Sequence, residues 1–262
     1  DCTLNDTCQS GTCVGGPRLT YSGAAPQHWW RGDGNTNDSV GSTNGTVSGA
    51  VAYLPAVLNQ GFSLNGTDAI VVLNSTGLYP NSGSLTITAW VKSSASGSSQ
   101  FITSLYECAG YCPGGQANGL VDLSIDATGK FVAGTRGSAN VSITLTSAMT
   151  VNDGKFHHVA LIRDTTALLL RIFVDGIAEG SMAIPAETIN NSDGEMDPIQ
   201  IGARRNASAS SSTGHFHGTI DDVQWFLANL TATDILALSC EGRVCFGMAD
   251  GIACDDKDPN TS

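Results

Sequence analysis

Apolar and β-branched residues recur along the chain in short runs that alternate with polar ones, at residues 69–73, 85–91, 100–105, 120–125, 141–145, 157–162, 168–174 and 219–226. In 85–91, Leu85, Ile87, Ala89 and Val91 interleave with Thr86, Thr88 and Trp90. A period of two places one set on each face of a strand. Between runs stand Asp153-Gly154 and Asp175-Gly176, dipeptides that suit tight antiparallel hairpins. Only residues 231–238, Thr-Ala-Thr-Asp-Ile-Leu-Ala-Leu, read as helix, with Thr231 or Thr233 able to cap it. Many short strands, frequent turns and almost no helix predict an all-β fold, an antiparallel two-sheet jelly-roll sandwich.

The periodicity stops at both ends. Residues 1–18 are short-range Cys, Gly and Thr closing in Gly15-Gly16-Pro17, and residues 240–262 are acidic and cysteine-rich. The expected organisation is therefore 1–18, a β-domain over 19–239, and 240–262. Cys8-Gln-Ser-Gly-Thr-Cys13-Val-Gly15 and Cys240-Glu-Gly-Arg-Val-Cys245-Phe-Gly247 repeat one C-x4-C-x-G pattern. Placing the last residues before the first gives one continuous cysteine-spaced acidic module. That continuity predicts head-to-tail assembly of copies of the chain, as a fibre or a tandem array, with residues 248–262 of one copy against 1–16 of the next.

Composition narrows the partners. A formal charge of −12 opposes binding to nucleic-acid phosphates. No apolar run approaches the roughly 18 to 20 residues that span a bilayer. Eight cysteines without a C-x2-C pair predict disulfides and an oxidising, extracellular setting. Cys108 and Cys112 are expected to bond locally, since Gly110 between them permits a tight loop. Cys2, Cys8, Cys13, Cys240, Cys245 and Cys254 allow about 15 pairings. Sequons at Asn5, Asn37, Asn44, Asn65, Asn74, Asn140, Asn190, Asn206, Asn229 and Asn260 predict a glycoprotein.

The order of local motifs over residues 28–238 resembles the laminin-G-like, concanavalin-A-like jelly roll. The pieces are His28-Trp29, Asp33-Gly-Asn, Asp38-Ser-Val-Gly, Gly61-Phe-Ser-Leu-Asn-Gly66 and Leu85-Thr-Ile-Thr-Ala-Trp90-Val, followed by Gly154-Lys-Phe-His-His-Val-Ala160, Ile172-Phe-Val-Asp-Gly176, Ile199-Gln-Ile-Gly202 and Phe216-His-Gly-Thr-Ile-Asp-Asp-Val223. Phe156 departs from the Trp usual at its position. The resemblance implies a structural calcium where the Asp33, Asp38 and Asn44 loop meets Asp221 and Asp222. The terminal pieces resemble a separate extracellular Cys-Asp-Asp-Gly repeat, with Lys257 at its Gly position.

Candidate chemistry is sparse. Glycosidases of this class carry Glu-x-Asp-x-x-Glu on one strand face, and no such string exists here. Glu195-Met-Asp197 is the nearest, within a turn-like stretch, and Gly-x-Ser-x-Gly, P-loop and His-Glu-x-x-His motifs are absent too. The expectation is a non-enzyme. Asp256, Asp258 and Asn260 have the 1, 3, 5 spacing of an oxygen-ligand loop for Ca²⁺. His215 and His217 share one strand side, and Arg31-Gly32-Asp33 spells an integrin-type tripeptide that falls within a turn. Trp29-Trp30 must send one ring inward and one outward, so one of them, or Tyr111, is the candidate platform for a sugar. Two readings follow: a structural, adhesive glycoprotein module that assembles head to tail, and a calcium-dependent carbohydrate-binding module.

Overall fold

The computed structural model describes residues 7–9, 12–14, 19–72, 83–107, 118–137, 141–186, 189, 198–205 and 212–241. The strands are β1 (Thr7–Gln9), β2 (Thr12–Val14), β3 (His28–Trp30), β4 (Thr46–Ser48), β5 (Ala52–Pro55), β6 (Gln60–Asn65), β7 (Ala69–Val72), β8 (Leu85–Lys92), β9 (Gln100–Glu107) and β10 (Asn118–Ile125). They continue as β11 (Lys130–Arg136), β12 (Ser142–Thr150), β13 (Phe156–Asp164), β14 (Leu169–Val174), β15 (Ile177–Ala183), β16 (Ile199–Ile201), β17 (Arg204–Arg205), β18 (Ser212–Thr213) and β19 (His217–Phe226), before the helix α1 (Ala232–Cys240).

Two antiparallel sheets form the jelly-roll sandwich. One has seven strands in the order β12-β11-β10-β9-β16-β7-β4; the other has eight, β15-β14-β13-β8-β19-β6-β5 with β3 also on β19. Alternation drives their closure. Ile87, Val91, Phe62, Trp30, Trp225 and Val223 from the eight-stranded sheet meet Ile102, Leu123, Phe131, Ile199 and Ile70 from the other in one buried core.

The eight-stranded sheet also buries part of its outer face. Ala160, Ile162, Phe173 and Phe226 form a second cluster with Leu230, Ile235 and Leu238 of the α1 region, so β13 is buried on both sides and loses its alternation. Thr231 caps α1 in a capping box with Asp234. Burying Ile235 and Leu238 contributes about 1.5–3 kcal/mol each as an upper estimate. The Asp175-Gly176 turn, with φ 52° and 80°, closes the β14–β15 hairpin, and a Cβ on Gly176 would press on Leu236 and Ser239 of α1.

Most of the expected runs coincide with strands. The strands β3–β6, β11 and β15–β18 lie outside those runs; β15 is an exposed edge whose packing selects few apolar positions. Cys8 and Cys13 stand opposite each other in the β1–β2 pair, and Cys240 is disulfide-bonded. The side chains of the other seven cysteines, the expected Cys108–Cys112 bridge among them, lie outside the described residues.

Candidate functional site

Trp29 and Trp30 divide as the alternation requires. Trp30 is buried in the core, its indole N–H donating to the Thr43 carbonyl at 2.9 Å. Trp29 pairs with Gln224 of β19 and is half-buried on the outer face of the eight-stranded sheet. The Arg31 guanidinium covers its ring at 3.7 Å from the centroid, a cation–π contact. Two glycines let the segment after β3 settle on the sheet. Gly32 has φ 77°, and a Cβ there would stand 2.9 Å from the Gly61 Cα; a Cβ on Gly61 would meet the Ile220 carbonyl and Asp221. The chain after β3 is thereby laid against β6 and β19.

That approach gathers three acids. The pairing of β19 with β8 is broken between Asp221 and Gln224, and Asp222 adopts φ 48°, so strict alternation fails at this pair. The Asp222 Oδ1 accepts the Trp29 indole N–H at 2.5 Å, and the Asp221 Oδ2 accepts the Leu58 N–H at 3.0 Å. Asp33 accepts the Gln60 N–H at 3.1 Å and reaches the Asn59 amide at 3.5 Å. The other oxygens, Asp221 Oδ1 and Asp222 Oδ2, are buried without a hydrogen-bond partner. Burial, with the nearby Asp33 charge also contributing, pushes Asp221 up to about 7; burial and the Asp221 charge push Asp222 up to about 8.

Asp222 and Asp33 open into a cleft of about 490 Å³ that Trp29, Arg31, Tyr21 and Glu241 also line. A second void of about 10 Å³, framed by Thr88, Trp90, His158, Gln224 and the same Asp222, has room for about one water.

Asp38 and Asn44 form a different network. The Asp38 carboxylate accepts from the His28 ring at 2.6 Å and from the backbone N–H groups of Trp29, Val40, Gly41 and Thr43 at 3.0–3.2 Å. Asn44 Oδ1 accepts the Asp38 N–H at 3.0 Å. Burial opposes ionisation of Asp38, but these donors outweigh it and hold its carboxyl below the usual range. The structure therefore brings Asp33, but not Asp38 or Asn44, to Asp221 and Asp222.

Calcium takes six to eight oxygens. Among the described residues no three His, Cys, Asp or Glu side chains converge as a metal group. The donors present do not by themselves fit the calcium cage that the resemblance implies. Asp256, Asp258 and Asn260 lie outside the described residues.

The remaining candidates separate. Arg31 is folded over Trp29 and Gly32 is buried, so the Arg-Gly-Asp tripeptide is not presented as an extended loop. His215 and His217 flank the buried Phe216 and lie half-buried and exposed, respectively. Asn37, Asn44, Asn65 and Asn229 are exposed. Asn5, Asn74, Asn140, Asn190, Asn206 and Asn260, together with Tyr111, lie outside the described residues. The cleft-lining Leu58, Asn59 and Glu241 were not singled out in the sequence, and Arg31 only within the tripeptide; contacts between distant segments create the site.

A family model described as the concanavalin A-like lectin/glucanases superfamily matches residues 65–236. The chain belongs to this family. No curated protein matches it. Its fold is similar to domain 4 of AbnA, a GH43 extracellular arabinanase from Geobacillus stearothermophilus solved with arabinotriose, at 15% identity over 83% of this chain and 100% of that one, TM-score 0.61. It is also similar to the receptor-binding domain of botulinum neurotoxin type G, at 14% identity over 82% of this chain and 51% of that one, TM-score 0.58. A third likeness is to the CBM40 of the Ruminococcus gnavus IT-sialidase, at 18% identity over 61% of this chain and 84% of that one, TM-score 0.51. The chain spans about half the length of the neurotoxin domain it matches.

Proposed function

We propose that the chain is a non-catalytic carbohydrate-binding module of an extracellular protein, with its sugar site in the cleft beside Trp29. One observation carries this reading. A half-buried indole with the Arg31 guanidinium stacked on it stands at the wall of a cleft of about 490 Å³ whose other walls carry hydrogen-bonding acids, a combination of aromatic surface and few placed polar groups suited to a sugar ring. The family and the binding domains among its structural neighbours support it. Exposure of Asn37, Asn44, Asn65 and Asn229 supports the extracellular, glycosylated setting. No described helix is long and apolar enough to cross a membrane.

Head-to-tail assembly rests on terminal segments that lie almost wholly outside the described residues, and no observation raises it above the carbohydrate reading. Calorimetry of the intact chain against neutral and charged oligosaccharides tests the proposal. Saturable binding that Trp29→Ala weakens at least tenfold, with the thermal midpoint nearly kept, is the expected result; no binding to any of them, or binding indifferent to Trp29→Ala, overturns it.

A further inference from the structure

Resting on the carbohydrate reading, we propose that the sugar taken by this cleft is an amino sugar, its ammonium seated against Asp222. The observation behind this is an acid without enough donors. Asp222 is 4% exposed, lines the cleft and spends one oxygen on the Trp29 indole, while Oδ2 has no partner. A buried polar atom left unpaired costs about 1–3 kcal/mol, and a ligand that supplies a donor recovers it. Asp221, its neighbour in the chain, has its own unpaired Oδ1, so two adjacent buried acids rather than one lack donors here.

Charge selects the kind of donor. Among the described residues that line the cleft, Asp33, Asp222 and Glu241 are acids and Arg31, stacked on Trp29 and also acting on Asp222, is the one cation. A sugar carboxylate or sulfate placed there meets like charge, a repulsive element that discriminates by itself. A neutral hydroxyl supplies a donor but no charge. An ammonium supplies both, and a cation beside Asp222 favours the ionised form that its burial and Asp221 otherwise oppose.

Donor count separates an ammonium from a metal ion. An ammonium presents three N–H groups; the acceptors this cleft wall offers are Asp222, whose Oδ2 lacks a partner, and Asp33, which retains lone pairs beyond its bonds from Gln60 and Asn59. A calcium ion wants six to eight oxygens, which the described side chains do not gather.

Isothermal titration of the intact chain with four probes tests this: a glucosamine tetramer, its fully N-acetylated counterpart, sialyllactose, and calcium chloride alone. The glucosamine oligomer is expected to bind at least tenfold tighter than the acetylated one, with sialyllactose the weakest. Asp222→Asn, which keeps an acceptor for the Trp29 indole, should narrow the amino-to-acetyl ratio to within about threefold, and Asp33→Asn, on a less buried residue, should narrow it in part. Equal or tighter binding of the acetylated oligomer or of sialyllactose overturns the inference while leaving the carbohydrate reading intact. Tight calcium binding that Asp222→Asn abolishes assigns these acids to a metal and overturns it too. If none of the three saccharides binds, the carbohydrate reading itself fails.

Discussion

Asp38 and Asp222 each accept a hydrogen bond from Trp29, one from its backbone and one from its indole, and they are almost equally buried, at 7% and 4% exposure. Their chemistry is opposite. Asp38 meets five donors and is held as a carboxylate below the usual range; Asp222 meets the Trp29 indole and a second acid, and is pushed up to about 8. Burial sets the cost of charge at both places, and the number of N–H groups aimed at the oxygens decides whether that cost is offset. The Asp38 side is built to hold the domain closed. The Asp222 side is left incomplete, facing a cleft.

The largest test uses the adjacent tryptophans that belong to the two sides. Trp30→Ala should lower unfolding stability by about 3–5 kcal/mol, because it empties a packed core position. Trp29→Ala should cost about 1 kcal/mol, as for a partly exposed residue. Urea midpoints measure both, and equal losses would mean that the cleft wall is structural rather than a binding surface.

Next come the acids themselves. Asp38→Ala leaves four backbone N–H groups and the His28 ring without their acceptor, and should cost about 2–4 kcal/mol. Asp222→Asn should change stability by less than about 1 kcal/mol at pH 5. A cost for Asp222→Asn as large as that for Asp38→Ala would erase the contrast.

The pH profile should divide in the same way. Asp221 and Asp222 have raised folded values, about 7 and 8, so between the ordinary 3.8 and those values the native state binds more protons than the unfolded one and stability falls as pH rises. Asp38 has a lowered value; its contribution is present above the ordinary 3.8 and is lost as pH falls through the folded value. Thermal midpoints from pH 3 to 9 should therefore peak near the acid end, and Asp222→Asn should flatten the fall between pH 5 and 8.

The smallest effect belongs to His157, whose ring nitrogens lie 2.7 Å from Asp175 and 3.1 Å from Asp153. Burial opposes its charge, but these two carboxylates prevail and raise its value. Its contribution is thus full below the ordinary 6.5 and is lost as pH rises through the raised folded value. His157→Gln should lower stability by about 1 kcal/mol at pH 6 and by less at pH 9. An NMR titration that places His157 at or below 6.5 would remove this component from the profile.

Much of the fold was legible because its signals are local. The alternation in 85–91 became β8, Asp175-Gly176 became a turn with two positive φ values, and Thr231 became the cap of α1. The split between Trp29 and Trp30 followed from the same period of two. The site was legible only in part. Asp33 and Asp38 lie five residues apart in one polar, Gly-rich stretch, and nothing in their spelling says that one reaches β19 while the other turns back to His28. Asp221 and Asp222 read as opposite faces of a strand until the irregular pairing and the positive φ at Asp222 are seen.

The sequence by itself determined the sandwich, the helix and that only one of Trp29 and Trp30 could reach solvent, since each depends on side chains a few positions apart and on the backbone conformations those residues favour. Only the tertiary structure decided the site. It required Gly32 to lie against Gly61, and Gly61 against Ile220 and Asp221, which brings residues 29–33, 58–60 and 221–222 within hydrogen-bonding reach. The protonation of each acid then follows from how many N–H groups those distant segments direct at it, a number set by packing and invisible in the order of the residues.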